Sequence, residues 1–480
     1  MPLDFRPARR RFLRSAAGLA GLPLVSALAE SAFAAGPFSD YRAMVCIFLF
    51  GGSDSHNVIV PTAAAELAAY AAKRGTLAIP PASLVPISPT NAAGRTYATH
   101  PSLPKLAQLF NVDRKLAFVG NVGVLIRPTT IAQYNAKSVP LPPQLFSHSD
   151  MQSHWQSANP SAPFATGWGG RMAELLVPGN AGSTLPLSVS LSGSNQLMVA
   201  TLPEAAAYQV ATTGPIKIRA WRDWDVNGAN PQKLYQDRIV ALRSNRLEDE
   251  YGDIVARSMD TEQTVTAALA QVASFRADFP GTGADAESSP TVTNRLADQL
   301  RMIARLIAAR GAFGAKRQIF FASLGGFDTH GDETTLHPRL LAQLDDGLDA
   351  FYRKTVALGV GSGVTAFTAS DFGRTYTSNG SGSDHGWGGH HIVVGGAVTG
   401  GALYGGVPVA GLTTGGALTL VDPATGSSVD VGQGRLLPSV ATDVYGATLA
   451  RWMGVTQPGE LSAVFPNLGN FAATNLGFLG

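Results

Sequence analysis

Gln318-Ile319-Phe320-Phe321-Ala322-Ser323-Leu324, followed by Gly325-Gly326-Phe327-Asp328-Thr329-His330, is the stretch that decides the fold. The first seven residues are almost continuously apolar, as a parallel strand covered on both faces should be. The next six turn sharply and carry a carboxylate and an imidazole. The pattern repeats at Val364-Thr365-Ala366-Phe367-Thr368-Ala369, followed by Ser370-Asp371-Phe372-Gly373-Arg374-Thr375 and then Asp384-His385-Gly386. Residues 336–358 between the two strands have a helical apolar stripe, which the sequence assigns to core packing. Strand, helix and strand make a β-α-β unit.

A third run, Ala43-Met44-Val45-Cys46-Ile47-Phe48-Leu49-Phe50, ends in Gly51-Gly52-Ser53-Asp54-Ser55-His56-Asn57. The fold class is therefore α/β, with a largely parallel central sheet. Charged and imidazole groups follow three strand ends, the rim where open α/β sheets bind ligands.

The remaining chain is consistent with this. Residues 63–73, 102–110, 292–310 and 436–453 read as helices, and 115–120 as a strand. Residues 187–190 and 197–200 are short strand candidates. Residues 127–159 read as a Pro-rich polar stretch. Residues around 230–290 carry a charged helical pattern without histidine, expected to be a cover or insertion. Residues 392–396 and 403–406 look β-like.

Residues 1–34 fit a twin-arginine signal peptide. Arg9-Arg10-Arg11-Phe12-Leu13-Arg14 precedes an apolar stretch, and Ala32-Phe33-Ala34 offers small residues for cleavage. The expected location is periplasmic or secreted, with one domain over 35–480. No later segment is as long as a membrane span. The whole chain is +2 and the signal segment, with five Arg, one Asp and one Glu, is +3. The remainder is then near −1, which argues against binding nucleic acid by charge. Cys46 is the single cysteine, so no intrachain disulfide forms, and its apolar strand predicts a buried thiol.

Carboxylates and imidazoles are ligands for Zn²⁺ and Mn²⁺. Asp328 and His330, two apart on one turn, and His385 in its Gly-rich loop are the first candidates. Asp54 is a candidate with an N-cap as its alternative, and Asp371 carries the second strand end. Arg374 is read either as an anion clamp or as the partner of Asp371. Ser147 is the candidate nucleophile, activated by a metal rather than by the adjacent His148. A Gly-x-Ser-x-Gly elbow, a Walker A loop, a His-Glu-x-x-His motif and the sulfatase nucleophile pattern are all absent.

These segments together resemble a bacterial family of unknown function, DUF1501. The resemblance rests on Phe50 to Asn57 with Val60-Pro61, His100-Pro101, and Ser147-His148 with Gln152 and Trp155. Gly167-Trp168 with Arg171, Gly326 to His330, Ser370 to Thr375 and Asp384-His385-Gly386 extend it, and Leu437-Pro438 with Tyr445 and Trp452 completes it. The resemblance implies an alkaline phosphatase-like three-layer sandwich with helices on both faces. It implies one metal site at Asp328, His330 and His385 and another at Asp54 and Asp371, with Ser147 near the nucleophile position. His56, Asn57 and His148 would then meet substrate.

Phe372 stands where alkaline phosphatases carry a His ligand, so the second site is incomplete, filled by His56 or His148, or absent, and one or two divalent ions are expected, Zn or Mn. The function expected is hydrolysis of a phosphate or sulfate ester, free or glycan-linked. The alternative is a non-catalytic exported protein, stabilised by metal, that binds a glycan or a protein partner.

Overall fold

The computed structural model describes residues 38–216, 237–238, 241, 245–281, 294–407, 409–412, 418–422 and 426–480. The signal segment 1–34 and much of the expected cover at 230–290 lie outside these residues.

Strand β1 (Arg42–Phe50) is buried from Ala43 to Leu49 and runs through the middle of a ten-stranded sheet. Apart from two small separate sheets, at 59–99 and 409–421, the further strands are β2 (Leu116–Gly123), β3 (Ser188–Ser190), β4 (Tyr208–Ala211), β5 (Gly214–Pro215) and β6 (Arg317–Gly325). They continue with β7 (Val364–Ser370), β8 (Arg374–Ser378), β9 (Ser383–His385), β10 (Gly389–Gly395), β11 (Leu403–Gly405) and β12 (Val440–Ala441). The order across the sheet is β11-β2-β10-β7-β1-β6-β3-β4-β5, with β12 also on β2. The centre, β7-β1-β6-β3, is parallel throughout, whereas β10 pairs antiparallel with both β7 and β2. The sheet is therefore mixed but largely parallel. Strands β8 and β9 form a separate antiparallel hairpin at its rim.

Alternate residues of β1 feed two cores. Val45, Ile47 and Leu49 pack on one face with α5 (Arg295–Ala308) and α6 (Glu333–Ala357). Met44, Cys46 and Phe48 pack on the other with α2 (His148–Ser157), α3 (Trp168–Leu176) and α7 (Thr442–Met453). This is the expected three-layer arrangement, with Cys46 buried as expected. Helix α4 (Arg246–Ala270), within the expected helical cover, adds Val265, Ala268 and Leu269 to the first core, whereas α1 (Ala64–Arg74) buries Ala69 and Tyr70 in a third, smaller cluster. Among the described residues no helix is long and apolar enough to cross a membrane.

Three local expectations are corrected. Residues 197–200 are not a strand: Asn195 caps a short 3₁₀ turn, Gln196–Met198, by accepting from Met198 N. The last helix starts at Thr442 rather than 436, because Pro438 lacks a donor and biases Leu437 toward extended backbone. The polar stretch 127–159 contains α2, whose Met151 and Trp155 sit one turn apart and bury together.

Candidate metal centre

Register brings the three strand ends level. Phe50 pairs with Gly325, and Leu49 with Ser370. The turns that follow open at one edge. Gly51 has φ +113°, and a Cβ there would lie 2.3 Å from Asp328 N, so only glycine lets the β1 turn pass beneath the Asp328 turn. Its own N–H donates to Asp371 Oδ2 at 3.2 Å.

Side chains from β9, α2 and the β6 turn converge above this edge. His148, Asp328 and His385 each offer a ligand atom within 4.8 Å of the others. Asp328 Oδ1 is 3.3 Å from His148 Nε2, 3.2 Å from His330 Nε2 and 3.4 Å from His385 Nε2. In each imidazole the other nitrogen is engaged. His148 Nδ1 lies 2.7 Å from Asp371 Oδ2, His330 Nδ1 2.9 Å from Asp384 Oδ1, and His385 Nδ1 2.6 Å from Phe146 O. All three partners are acceptors, so each Nδ1 carries the proton and each Nε2 lone pair faces Asp328 in the neutral ring. A second contact that fixes the tautomer of a ligating histidine is the usual arrangement at metal sites.

Two observations test whether a cation fits. His330 Nε2 and His385 Nε2 stand 2.9 Å apart, two lone pairs facing each other unless a proton or a cation lies between them. Asp371 Oδ1 and His148 Nε2 are buried and make no hydrogen bond. The residues present therefore suit a divalent ion, with an N/O donor set of the kind that Zn²⁺ and Mn²⁺ accept.

Burial alone would raise the Asp328 carboxyl, but the bonded Arg374 guanidinium outweighs it and holds the group below the usual range. The hydrogen bond to Asp371 raises the His148 imidazole, while burial lowers that of His385.

The remaining expected residues fall in different places. His148 belongs to the cluster itself rather than to substrate contact. Asp371 is 1% exposed, and its Oδ2 accepts from His148, Gly51 N and Gln152 Nε2 at 2.8 Å. It orients His148. Asp54 is fully buried and pairs with Arg74, which also reaches Glu333 Oε1 at 3.3 Å. Asp54 and Asp371 are thus held by different partners. His56 and Asn57 are buried: His56 Nε2 donates to Arg374 O at 3.1 Å, and Asn57 bonds Leu77 O and the Tyr70 hydroxyl. They pin the β1 turn and are closed to a ligand.

The anion-clamp reading of Arg374 is also corrected. Its guanidinium is fully buried and engaged by Asp328 Oδ1 at 2.8 Å, Gly51 O at 3.1 Å, Ser383 O and Ser383 Oγ. The partner it finds is Asp328, not Asp371. Ser147 is the N-cap residue of α2, half-buried beside His148, and its hydroxyl donates to Asp150 Oδ2 at 2.6 Å.

Sequence reasoning missed Arg74, Glu333 and Ser383, since buried ionic partners leave no periodic signal. It also gave no site role to Phe372, whose ring packs 4.9 Å from His148 and 4.7 Å from His385.

A family model described as "Protein of unknown function (DUF1501)" matches residues 41–419. No curated protein sequence matches the chain. Among solved structures it is similar to Ps i-CgsB in complex with k-i-k-neocarrahexaose (8% identity, TM-score 0.33, 90% of this chain and 77% of that one). It is also similar to Ps i-CgsB alone (7%, 0.35, the same coverage) and to the PsFucS1 sulfatase from Pseudoalteromonas sp. (10%, 0.31, 91% and 72%). At these TM-scores the likenesses carry no argument about what this chain does.

Proposed function

The chain belongs to the DUF1501 family, and from that premise we propose that it is an exported, metal-dependent hydrolase of phosphate or sulfate esters. The observation that carries the reading is the convergence of the His148, His330 and His385 Nε2 atoms on Asp328 Oδ1, each ring fixed from behind by an acceptor.

His148, Asp328, His330 and His385 would hold one ion, Zn or Mn. A divalent ion bound there supplies a Lewis acid for an ester oxygen. The protein's own residues do the rest. Arg374 holds Asp328 from below, and Asp371 with Gln152 holds His148. Ser147 is the attacking group in this reading, and Asp150, already accepting its hydrogen bond, takes the proton. The leaving alkoxide takes a proton from water at the exposed rim, and the hydroxide so formed attacks the Ser147 ester, releasing phosphate or sulfate while Asp150 returns its proton to the serine. The twin-arginine segment supports export in the folded state, with metal in place, to the periplasm or beyond.

The test is elemental analysis of the exported protein, followed by a panel of phosphate and sulfate esters. About one Zn or Mn per chain, with turnover that follows metal content and is lost in Ser147→Ala, supports the reading. Absence of metal from the protein, or turnover insensitive to a chelator, overturns it.

A further inference from the structure

With Arg374 and Arg74 both fully buried on protein acceptors, the proposed site needs another group to meet an anionic ester. The turn before Leu436 brings one. Arg435 is half-buried, and its Nε donates to the carbonyl of His385 at 2.8 Å. Its guanidinium carbon stands 5.0 Å over the ring of Phe146, the residue whose carbonyl accepts from His385 Nδ1. One side chain thus touches both the chain carrying the ligand and the chain that fixes its tautomer. The four N–H groups on its two terminal nitrogens have no protein partner among the described residues.

The turn that carries Arg435 is held rigidly. Asp430 Oδ1 accepts from Gly432 N at 2.7 Å and Gly434 N at 2.8 Å. Strand β8, whose first residue is Arg374, donates from Tyr376 N to Gly434 O at 3.1 Å and from Thr377 N to Gln433 O at 3.2 Å. Gly434 has φ +76°, and a Cβ on it would sit 2.2 Å from Tyr376 Cβ, so the turn lies flush against the hairpin. A guanidinium mounted this way loses little freedom when it binds, and its planar fork matches two oxygens of a tetrahedral oxyanion.

We propose that Arg435 is the anion-binding residue of the site, taking two oxygens of the phosphoryl or sulfuryl group with its terminal nitrogens. This rests on the metal-hydrolase reading. It assigns to Arg435 the role that the sequence gave to Arg374.

The experiment loads the wild type, Arg435→Gln and Arg435→Lys with Co²⁺. Each is then titrated separately with inorganic phosphate and inorganic sulfate, following the visible cobalt bands and the heat of binding. The expected result is equal cobalt content in all three proteins and at least tenfold weaker oxyanion binding in Arg435→Gln. Arg435→Lys should fall between, because it keeps the charge and loses the fork. The oxyanion bound more tightly by the wild type names the ester class. Equal affinity in the wild type and Arg435→Gln overturns the proposal. So does loss of cobalt from both variants, since Arg435 then acts only through His385. A wild type that binds cobalt but neither oxyanion overturns it while leaving the metal site standing. A wild type that takes up no cobalt overturns the hydrolase reading and this proposal with it.

Discussion

The ring of Phe372 lies 4.7 Å from the imidazole of His385, centroid to centroid, tilted by 34°. It makes a similar contact with His148 at 4.9 Å. Phe372 thus forms an apolar wall behind two of the clustered imidazoles. A side chain that supplies no ligand atom still limits the rotation of two that do.

Phe372→Ala should therefore weaken metal binding about tenfold, in the range typical of contacts that orient ligands. Competition against a chelator of known affinity measures it. Phe372→Leu, which keeps most of the volume, should sit closer to wild type. Equal affinities in all three proteins would remove Phe372 from the site.

Asp328 is the atom that all three Nε2 groups share, and its side chain is 48% exposed. Asp328→Asn, or the pair Asp328→Asn with His330→Ala, should lose the metal and also some stability, because Arg374 is left with only carbonyl and hydroxyl acceptors. A ligand present at about a hundred times its Kd stabilises by about 2.7 kcal/mol. Chelation should accordingly lower the wild-type Tm and leave the double variant unchanged. A shift of the same size in both would place the ion elsewhere.

Arg374 is the buried centre of the rim, joining Asp328, Gly51 and Ser383. Removing one partner of a buried charged network costs about 3–5 kcal/mol. The exposed side of Asp328 softens this, so a loss on the order of 3 kcal/mol is expected for Arg374→Met by urea unfolding. Arg374→Lys should not recover it, because an ammonium cannot reproduce the fork. A loss below 1 kcal/mol would show that the network is not a support.

Glu333 gives the pH dependence. It is buried, with Oε1 3.3 Å from Arg74 and Oε2 accepting from Ser383 Oγ at 2.5 Å. Burial first, and then the neighbouring Asp54, push its carboxyl up to about 7. A carboxyl raised on folding contributes fully below its unfolded value of 4.5, and that contribution is lost as pH rises through about 7. Wild-type stability should therefore fall across roughly pH 4.5–7 by on the order of 2 kcal/mol from this group. Glu333→Gln should flatten that slope, as read from denaturation midpoints at several pH values. An unchanged slope would show that another group titrates there.

The rim was legible because its signals are local. Apolar runs such as Gln318–Leu324 are visible as strings, and so are the Asp and His that follow them. Asp328, His330 and His385 lie close together, the grouping that the family resemblance implied. What stayed hidden were contacts between distant segments. Asp54 looks like a ligand until Arg74, twenty residues on, takes it. Arg374 looks like a free clamp until the β8–β9 hairpin folds over it. His148 sits in a stretch that reads as loop, because only two of the buried residues of α2, Met151 and Trp155, are apolar. Arg435 carries no motif at all: its place depends on a turn packed against β8.

Strand β1, the first strand among the described residues, is the middle strand of the sheet, flanked by β6 and β7 from some 270 to 320 residues later. At roughly 5–20 residues per second, synthesis leaves this apolar segment without its neighbours for on the order of tens of seconds. Ribosome-bound chains halted before residue 317 should be protease-sensitive along 42–50, and chains extended past residue 370 should be protected there.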